Sequence, residues 1–494
     1  MQLNAQVLND IKTTAPLRLP APGFNQLPEK ILQFGTGVLL RGLPEYFIDK
    51  ANSEGVFGGR IVVVKSTDRG SGDAFDKQDN LYTICIRGID QGKEINRFVI
   101  NSSISRVLAA GDSWQSILAC AHNPDLQIII SNTTEVGIVL EEEDDLWGTD
   151  APHSFPGKLV AFLLERYKHF KGSSEAAMVI LPTELVSNNG ELLKKICLQL
   201  AAINELDPGF CAWLQHECDF CNTLVDCIVP GALPAADAAA TQHELGYQDE
   251  LMIMSEVYRL WAIETSSERT KKTLGFAATD KGLVITPDIN KFKNLKLRLL
   301  NGAHTFTCAY ALLHGFDTVK KAMQDESFSS FIGTLMHEEI VPTLVGNEIS
   351  GEEAHTFANA VLDRFRNPFL EHRWASISLN YTSKMHMRNV ATITTFCQRN
   401  PDSVPQKMAE GFAAYLAFMN TKNAGDRYIS ITPAGEVVLD DADASTLYQY
   451  WQSKDTKAVV HGILSDRELW GDDLALLKGF EEAVCGYVEK FVQG

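Results

Sequence analysis

At 494 residues the chain is too long for one hydrophobic core, so two or more domains are expected. With 45% hydrophobic and 22% charged residues it has the balance of a folded globular protein. Its formal net charge of -19 argues against nucleic-acid and anionic-membrane surfaces, where phosphate neutralisation needs clustered Lys and Arg.

No run of about eighteen apolar residues is present to span a bilayer. Residues 1–4 lack the basic start and apolar core of a secretory signal, so the expected location is cytoplasmic. Ten cysteines then read as reduced thiols. Cys197, Cys211, Cys218, Cys221 and Cys227 lie close together, and His216 with Cys218-x-x-Cys221 raises a zinc site. A zinc ribbon normally repeats its CxxC pair, so the cluster is read as buried small hydrophobes and no metal is assigned.

In chain order, the first half alternates short apolar runs with helical stretches. Ile31-Leu32-Gln33-Phe34 leads into glycines, Ile61-Val62-Val63-Val64 into Ser66-Thr67-Asp68, Ile128-Ile129-Ile130 into Ser131-Asn132-Thr133, and Met178-Val179-Ile180-Leu181 into Pro182. Continuous apolar runs of this length suit strands buried on both faces of a parallel sheet. With helical spacing at 113–121 and 158–167, they predict a doubly wound α/β domain. The acidic run Glu141-Glu142-Glu143-Asp144-Asp145 reads as a solvated loop. After Thr286-Pro287-Asp288, long periodic segments at 291–313, 328–341, 354–365 and 407–420 predict a mainly helical second domain. The expected division is therefore 1–286 and 287–494.

Gly35-Thr36-Gly37 follows the first strand and opens a helix, where glycines permit a tight turn and bring backbone N–H groups close to a pyrophosphate. Leu40 stands where a G-x-G-x-x-G pattern has its third glycine. Asp68 follows the second strand and is a candidate for the adenosine ribose hydroxyls, which favours NAD, although Lys65 and Arg69 flank it.

A second dense segment is Lys296-Leu297-Arg298-Leu299-Leu300-Asn301-Gly302-Ala303-His304. At α-helical spacing Lys296, Asn301 and His304 fall within an arc of roughly 140°. Interconverting an alcohol and a ketone needs a proton-transfer group, a role open to a lysine. It also needs a donor to the charged oxygen, which an asparagine amide can supply, and a histidine can orient that oxygen. Surface and capping residues have the same spacing, so the pattern by itself leaves both readings open.

The run Lys296-x-x-x-x-Asn301-x-x-His304 resembles the signature of the mannitol dehydrogenase family, the long-chain polyol-specific dehydrogenases. Other segments resemble that family's motifs in the same order. These are Gly35-Thr36-Gly37 with Arg41, Asn132-Thr133-Thr134-Glu135, Phe155-Pro156-Gly157-Lys158-Leu159, Leu224-Val225-Asp226, Arg364-Phe365-Arg366-Asn367-Pro368 and Ser383-Lys384. The resemblance implies an NAD-binding Rossmann-type domain, a helical substrate domain, and catalysis without a metal. Gly35, Thr36, Gly37, Arg41, Thr133 and Glu135 would join Asp68 in binding NAD. Lys296 would be the general acid/base, Asn301 part of the oxyanion hole, and His304 the ligand of the reacting oxygen. Asp226 and Lys384 would contact the substrate.

Three positions depart from the family pattern. Leu185 stands where a second oxyanion asparagine is expected, with Asn188 and Asn189 as possible substitutes. Cys227 replaces an arginine, and so does Ser376, eight residues before Lys384. The substrate therefore need not be mannitol. Val62-Val63-Val64-Lys65-Ser66-Thr67-Asp68-Arg69-Gly70, Asn132-Thr133-Thr134-Glu135-Val136-Gly137 and Leu181-Pro182-Thr183-Glu184-Leu185 resemble the branch of the family that reduces keto-uronates with NADH. A small sugar-acid substrate needs a cation, and Lys384, His386 and Arg388 form a candidate basic cluster. The alternatives are a sister activity on another uronate, a polyol or its phosphate, and a catalytically silent dinucleotide sensor. The complete Lys296, Asn301 and His304 set disfavours the sensor, which needs no proton relay.

Overall fold

The four apolar runs of the first half form four strands of a six-stranded sheet in the computed structural model, which describes residues 1–65, 72–133 and 137–493. The six strands are β1 (Glu29–Phe34), β2 (Arg60–Lys65), β3 (Ile104–Ala109), β4 (Ile128–Ser131), β5 (Val179–Pro182) and β6 (Asp219–Phe220). The sheet order is β3-β2-β1-β4-β5-β6, with every neighbouring pair parallel. This is the strand order of a dinucleotide-binding Rossmann sheet.

Alternation along each strand explains why the runs are apolar throughout. Leu32, Val62, Ile129 and Ile180 pack with Trp114, Leu159, Phe162 and Leu200 on one face. Their neighbours Ile31, Ile61, Ile128 and Val179 pack with Phe47, Tyr82 and Trp261 on the other. The helical stretches expected at 113–121 and 158–167 are Ala110–Cys120 and Phe155–His169, and they cover the first face. The second starts at Ser154, whose Oγ accepts from Gly157 N at 2.9 Å.

Ser154 also corrects the reading of the acidic run. Glu141, Glu142, Glu143 and Asp145 are exposed, but Asp144 is buried and accepts from Ser154 N (3.0 Å) and Ser154 Oγ. One carboxylate of the run braces a helix start because burial there is matched by hydrogen bonds. The cysteine cluster is buried or half-buried, and burial pushes the thiols of Cys218 and Cys221 up to about 12.

The alternation did not reveal the smaller sheets. Strands Tyr82–Asp90 and Lys93–Asn101 are neighbours in a four-stranded sheet with Leu17–Arg18 and Ile253–Glu256. The two residues between them, Gln91 and Gly92, have φ of 52° and 74°, the positive values a two-residue hairpin turn requires. Thr223–Asp226, Leu260–Glu264 and Leu283–Thr286 form a further three-stranded sheet.

The chain divides into two compact units, Met1–Arg87 with Glu94–Ile289, and Gly88–Lys93 with Asn290–Gly494. The second is mostly helical. Its spine is a continuous helical stretch made of Asn290–Leu295, Lys296–Gly302 and Ala303–Leu313. Gln406–Phe418 packs on that spine so closely that a Cβ on Gly411 would stand 2.7 Å from Phe306 O. Helix Gly351–Phe365 begins with a reciprocal capping box between Ser350 and Glu353. One small antiparallel sheet, Lys422–Asn423, Tyr428–Thr432 and Gly435–Val438, interrupts the helices. Among the described residues no helix is long and apolar enough to cross a membrane.

Candidate active site

The glycine loop lies at the carboxyl end of β1, beside β4, where the strand order reverses. In open α/β sheets this switch point is where ligands bind. Gly35 has φ 115°, and a Cβ there would stand 2.8 Å from Asn132 O, a backbone atom that cannot swing aside. Gly37 caps the helix Val38–Gly42, and the nearest atom to a Cβ there would be Asn132 Oδ1, at 4.0 Å. A glycine is therefore required at 35, and open space lies before 37, which fits a dinucleotide approaching the backbone. Leu40, at the third position of the pattern, is buried. Close packing is instead provided by Gly42, where a Cβ would stand 2.7 Å from Val229 Cγ2.

Buried Gln33 anchors the loop from below. Its Nε2 donates to Gly35 O (3.0 Å) and to Glu45 Oε1 (2.8 Å). Burial raises the Glu45 carboxyl above its ordinary range, against the hydrogen bonds from Tyr82 and Gln33. Arg41 is engaged with protein: Nη1 donates to Leu251 O at 2.8 Å, and the guanidinium lies over the Tyr82 ring. The sequence did not single out Gln33 or Glu45, whose pairing appears only when β1 and helix Pro44–Ser53 are folded.

At the ends of β4 and β5, Glu184 collects Ser131 Oγ (3.1 Å), Thr133 N (2.9 Å) and Thr133 Oγ1 (3.1 Å). Thr133 is thus fixed beside the glycine loop, whereas Asp68 and Glu135 lie outside the described residues. Of the two asparagines considered as replacements at Leu185, Asn189 is buried. Its amide nitrogen donates to Pro182 O, Glu184 O and Thr223 O, and its oxygen accepts from Thr223 N and Gly190 N. These bonds leave no donor for a substrate oxygen. Asn188 and Leu185 are exposed. Asp226 is buried at the end of strand Thr223–Asp226, paired with Leu260.

In the second unit, Lys296 and Asn301 stand on a π-helix, Lys296–Gly302, and not on the α-helix assumed from spacing. The i→i+5 ladder sets residues five apart one turn above another, so Lys296 and Asn301 share a face more closely than the α arc implied. Both side chains are half-buried. His304 opens the α-helix that follows and is only 8% exposed. Its ring stacks on Phe365 (3.9 Å between centroids) and meets His372 (5.2 Å) and Trp374 (6.0 Å) edge-on. Burial, then coupling to His372 and the charges of Arg364 and Arg388, holds its pKa well below the usual range, so the imidazole is neutral. Its Nε2 is buried and has no hydrogen-bond partner among the described residues. A buried polar atom left this way costs free energy unless something binds it, and a substrate oxygen is a suitable partner. Phe365 belongs to the noted Arg364–Pro368 motif, but His372 and Trp374 carried no sequence signal.

A second π-helix, His386–Val390, runs alongside the first and carries Arg388. Burial lowers the Arg388 pKa. Burial and then the neighbouring Arg388 lower that of Lys384, whose Nζ donates to Ile377 O at 3.1 Å. Lys296, Asn301, His304, Lys384 and Arg388 therefore all lie in the second unit. Gly35, Thr36, Gly37, Arg41, Thr133 and Asp226 all lie in the first.

Two family models match the chain in succession. Residues 29–274 match the model of the mannitol dehydrogenase Rossmann domain, and 288–492 that of the mannitol dehydrogenase C-terminal domain. An altronate oxidoreductase of Halalkalibacterium halodurans is 36% identical over 490 residues, covering 95% of this chain and 92% of its own length. One of Bacillus subtilis is 35% identical over 469 residues, covering 94% and 93%. Among solved structures, a D-sorbitol dehydrogenase in substrate-free form has a TM-score of 0.80 at 18% identity, covering 100% of this chain and 98% of its own. The mannitol 2-dehydrogenase of Pseudomonas fluorescens, in ternary complex with NAD and D-mannitol, has a TM-score of 0.64 at 21% identity, covering 100% and 99%. The chain is an oxidoreductase that belongs to the mannitol dehydrogenase family.

Proposed function

We propose that the chain is an altronate oxidoreductase that reduces D-tagaturonate to D-altronate with NADH, reversibly, in hexuronate catabolism. The observation that carries this reading is its likeness, over nearly its whole length, to altronate oxidoreductases at 35–36% identity. The geometry is compatible with it. Gly35, Thr36, Gly37 and Thr133 at the switch point would hold NADH, which when bound supplies the hydride for the ketone carbon. Lys296 Nζ delivers the proton to the ketone oxygen, and the electron pair of the former C=O π bond becomes the new O–H bond. Lysine is then reprotonated from solvent. Asn301 donates to that oxygen as negative charge builds on it, and the neutral His304 presents Nε2 to it. Lys384 and Arg388 supply the positive charge that the substrate carboxylate needs, and Asp226 is assigned to substrate hydroxyls.

Replacing Lys296 with Ala tests the assignment. Turnover of tagaturonate should fall by about 10²- to 10⁴-fold, the range of a lost general acid. NADH affinity, read by fluorescence titration, should stay near wild type. Turnover close to wild type would remove Lys296 from the mechanism.

A further inference from the structure

We infer that Arg298 is a positioning residue: its guanidinium ties the π-helix His386–Val390 to the one that carries Lys296 and Asn301. The inference rests on the catalytic roles proposed for those two residues. A π turn departs from the regular i→i+4 ladder, and here one carbonyl of such a turn takes a side-chain donor from a neighbouring helix. Arg298 Nη1 donates to Arg388 O at 2.7 Å and to Thr392 Oγ1 at 3.1 Å.

The Arg388 side chain returns across the same interface, with Nη1 donating to Thr305 Oγ1 at 3.2 Å. The Thr305 hydroxyl uses its single proton on Asn301 O, at 2.9 Å. A directed chain of hydrogen bonds therefore runs from the Arg388 guanidinium through Thr305 to the backbone of Asn301, while Arg298 fixes the backbone of Arg388. Gly302 lets the two segments meet, since a Cβ there would stand 2.9 Å from the Asn389 amide group. With that amide turned to satisfy its neighbours, its nitrogen donates to Gly302 O and Arg388 O, both at 3.3 Å. Both bonds leave one nitrogen of a planar guanidinium, which holds them in fixed directions better than a freely rotating lysine ammonium does. Arg298 also lines a cavity of about 330 Å³ with Asn294, Asn347 and Thr395, so a free guanidinium ion has a route to its place.

The test measures kcat and KM for tagaturonate and NADH in Arg298→Ala, Arg298→Lys, Thr305→Val and Lys296→Ala. Arg298→Ala should lower kcat up to about 10²-fold, as expected when reacting groups shift slightly, with KM for NADH unchanged. Millimolar guanidinium chloride should restore much of the loss where potassium chloride does not, and Arg298→Lys should fall between Ala and wild type. Wild-type kcat in Arg298→Ala overturns the inference, as does a loss that guanidinium leaves unchanged in a folded variant. If Arg298→Ala does not fold, Thr305→Val decides. A reduced kcat at unchanged melting temperature supports the chain, and wild-type kcat overturns it. Activity retained in Lys296→Ala would count against the catalytic assignment itself. An inactive Lys296→Ala beside a fully active Arg298→Ala would count against the Arg298 role alone.

Discussion

His304 shows how the fold sets the charge state of one candidate residue. Phe365, His372 and Trp374 exclude water from its ring, and burial with positive neighbours keeps it uncharged. In the role proposed for it, a neutral imidazole would present one nitrogen to the substrate oxygen without adding a charge. Changing His304 to Ala should reduce kcat/KM by about 10²-fold, the lower end for loss of an oxyanion donor. A His304→Gln variant, which keeps an amide donor, should recover part of this. Because the folded pKa lies well below 6.5, His304 adds no limb to the pH–rate profile near that value, and the Gln variant should keep every wild-type limb. A limb near 6.5 that vanished in the Gln variant would show that the imidazole titrates in the working range.

At the scale of elements, the second unit contains three π-helices among the described residues: Lys296–Gly302, His386–Val390 and Leu335–Ile340. The third carries Glu339, whose two oxygens accept from Lys407 N and Met408 N at 2.8 Å each and so cap helix Gln406–Phe418. Burial raises its pKa from 4.5 to about 7, against these hydrogen bonds. The folded state thus holds the proton more tightly than the unfolded one, and stability falls as pH rises from about 4.5 to about 7. Melting temperatures of wild type and Glu339→Gln should respond differently to pH across that window. The wild-type advantage should shrink as pH rises and level off above it, and a pH-independent difference would contradict the assignment.

Some of these elements were legible in the sequence, and the reason differs for each. β1, β2, β4 and β5 were readable because strands buried on both faces must be apolar throughout. The start of helix Gly351–Phe365 was less visible, since its capping box is two residues in an otherwise polar stretch. The π turns left no trace, because Lys296–Gly302 has the same apolar spacing as an α-helix and only the ladder differs. Phe365, His372 and Trp374 reach His304 from more than sixty positions away in the chain, a relation that periodicity does not contain. The acidic run misled for a similar reason: the burial of Asp144 depends on Ser154, ten residues on.

For the whole molecule, family membership accounts for the chemistry and the departures from its pattern bear on the substrate. Leu185 is 62% exposed where an asparagine was expected, and Asn189 is committed to the backbone around it. Ser376 is exposed, and Cys227 meets Ser255 Oγ at 3.4 Å. Two of the three changes replace an arginine, which on the proposed reading leaves the substrate carboxylate to Lys384 and Arg388 in the second unit. The most direct measurement is steady-state NADH oxidation by the purified protein across D-tagaturonate, D-fructuronate and D-fructose. The account predicts the highest kcat/KM for tagaturonate, with fructuronate behind and fructose far lower. A preference for fructose over both uronates would contradict it.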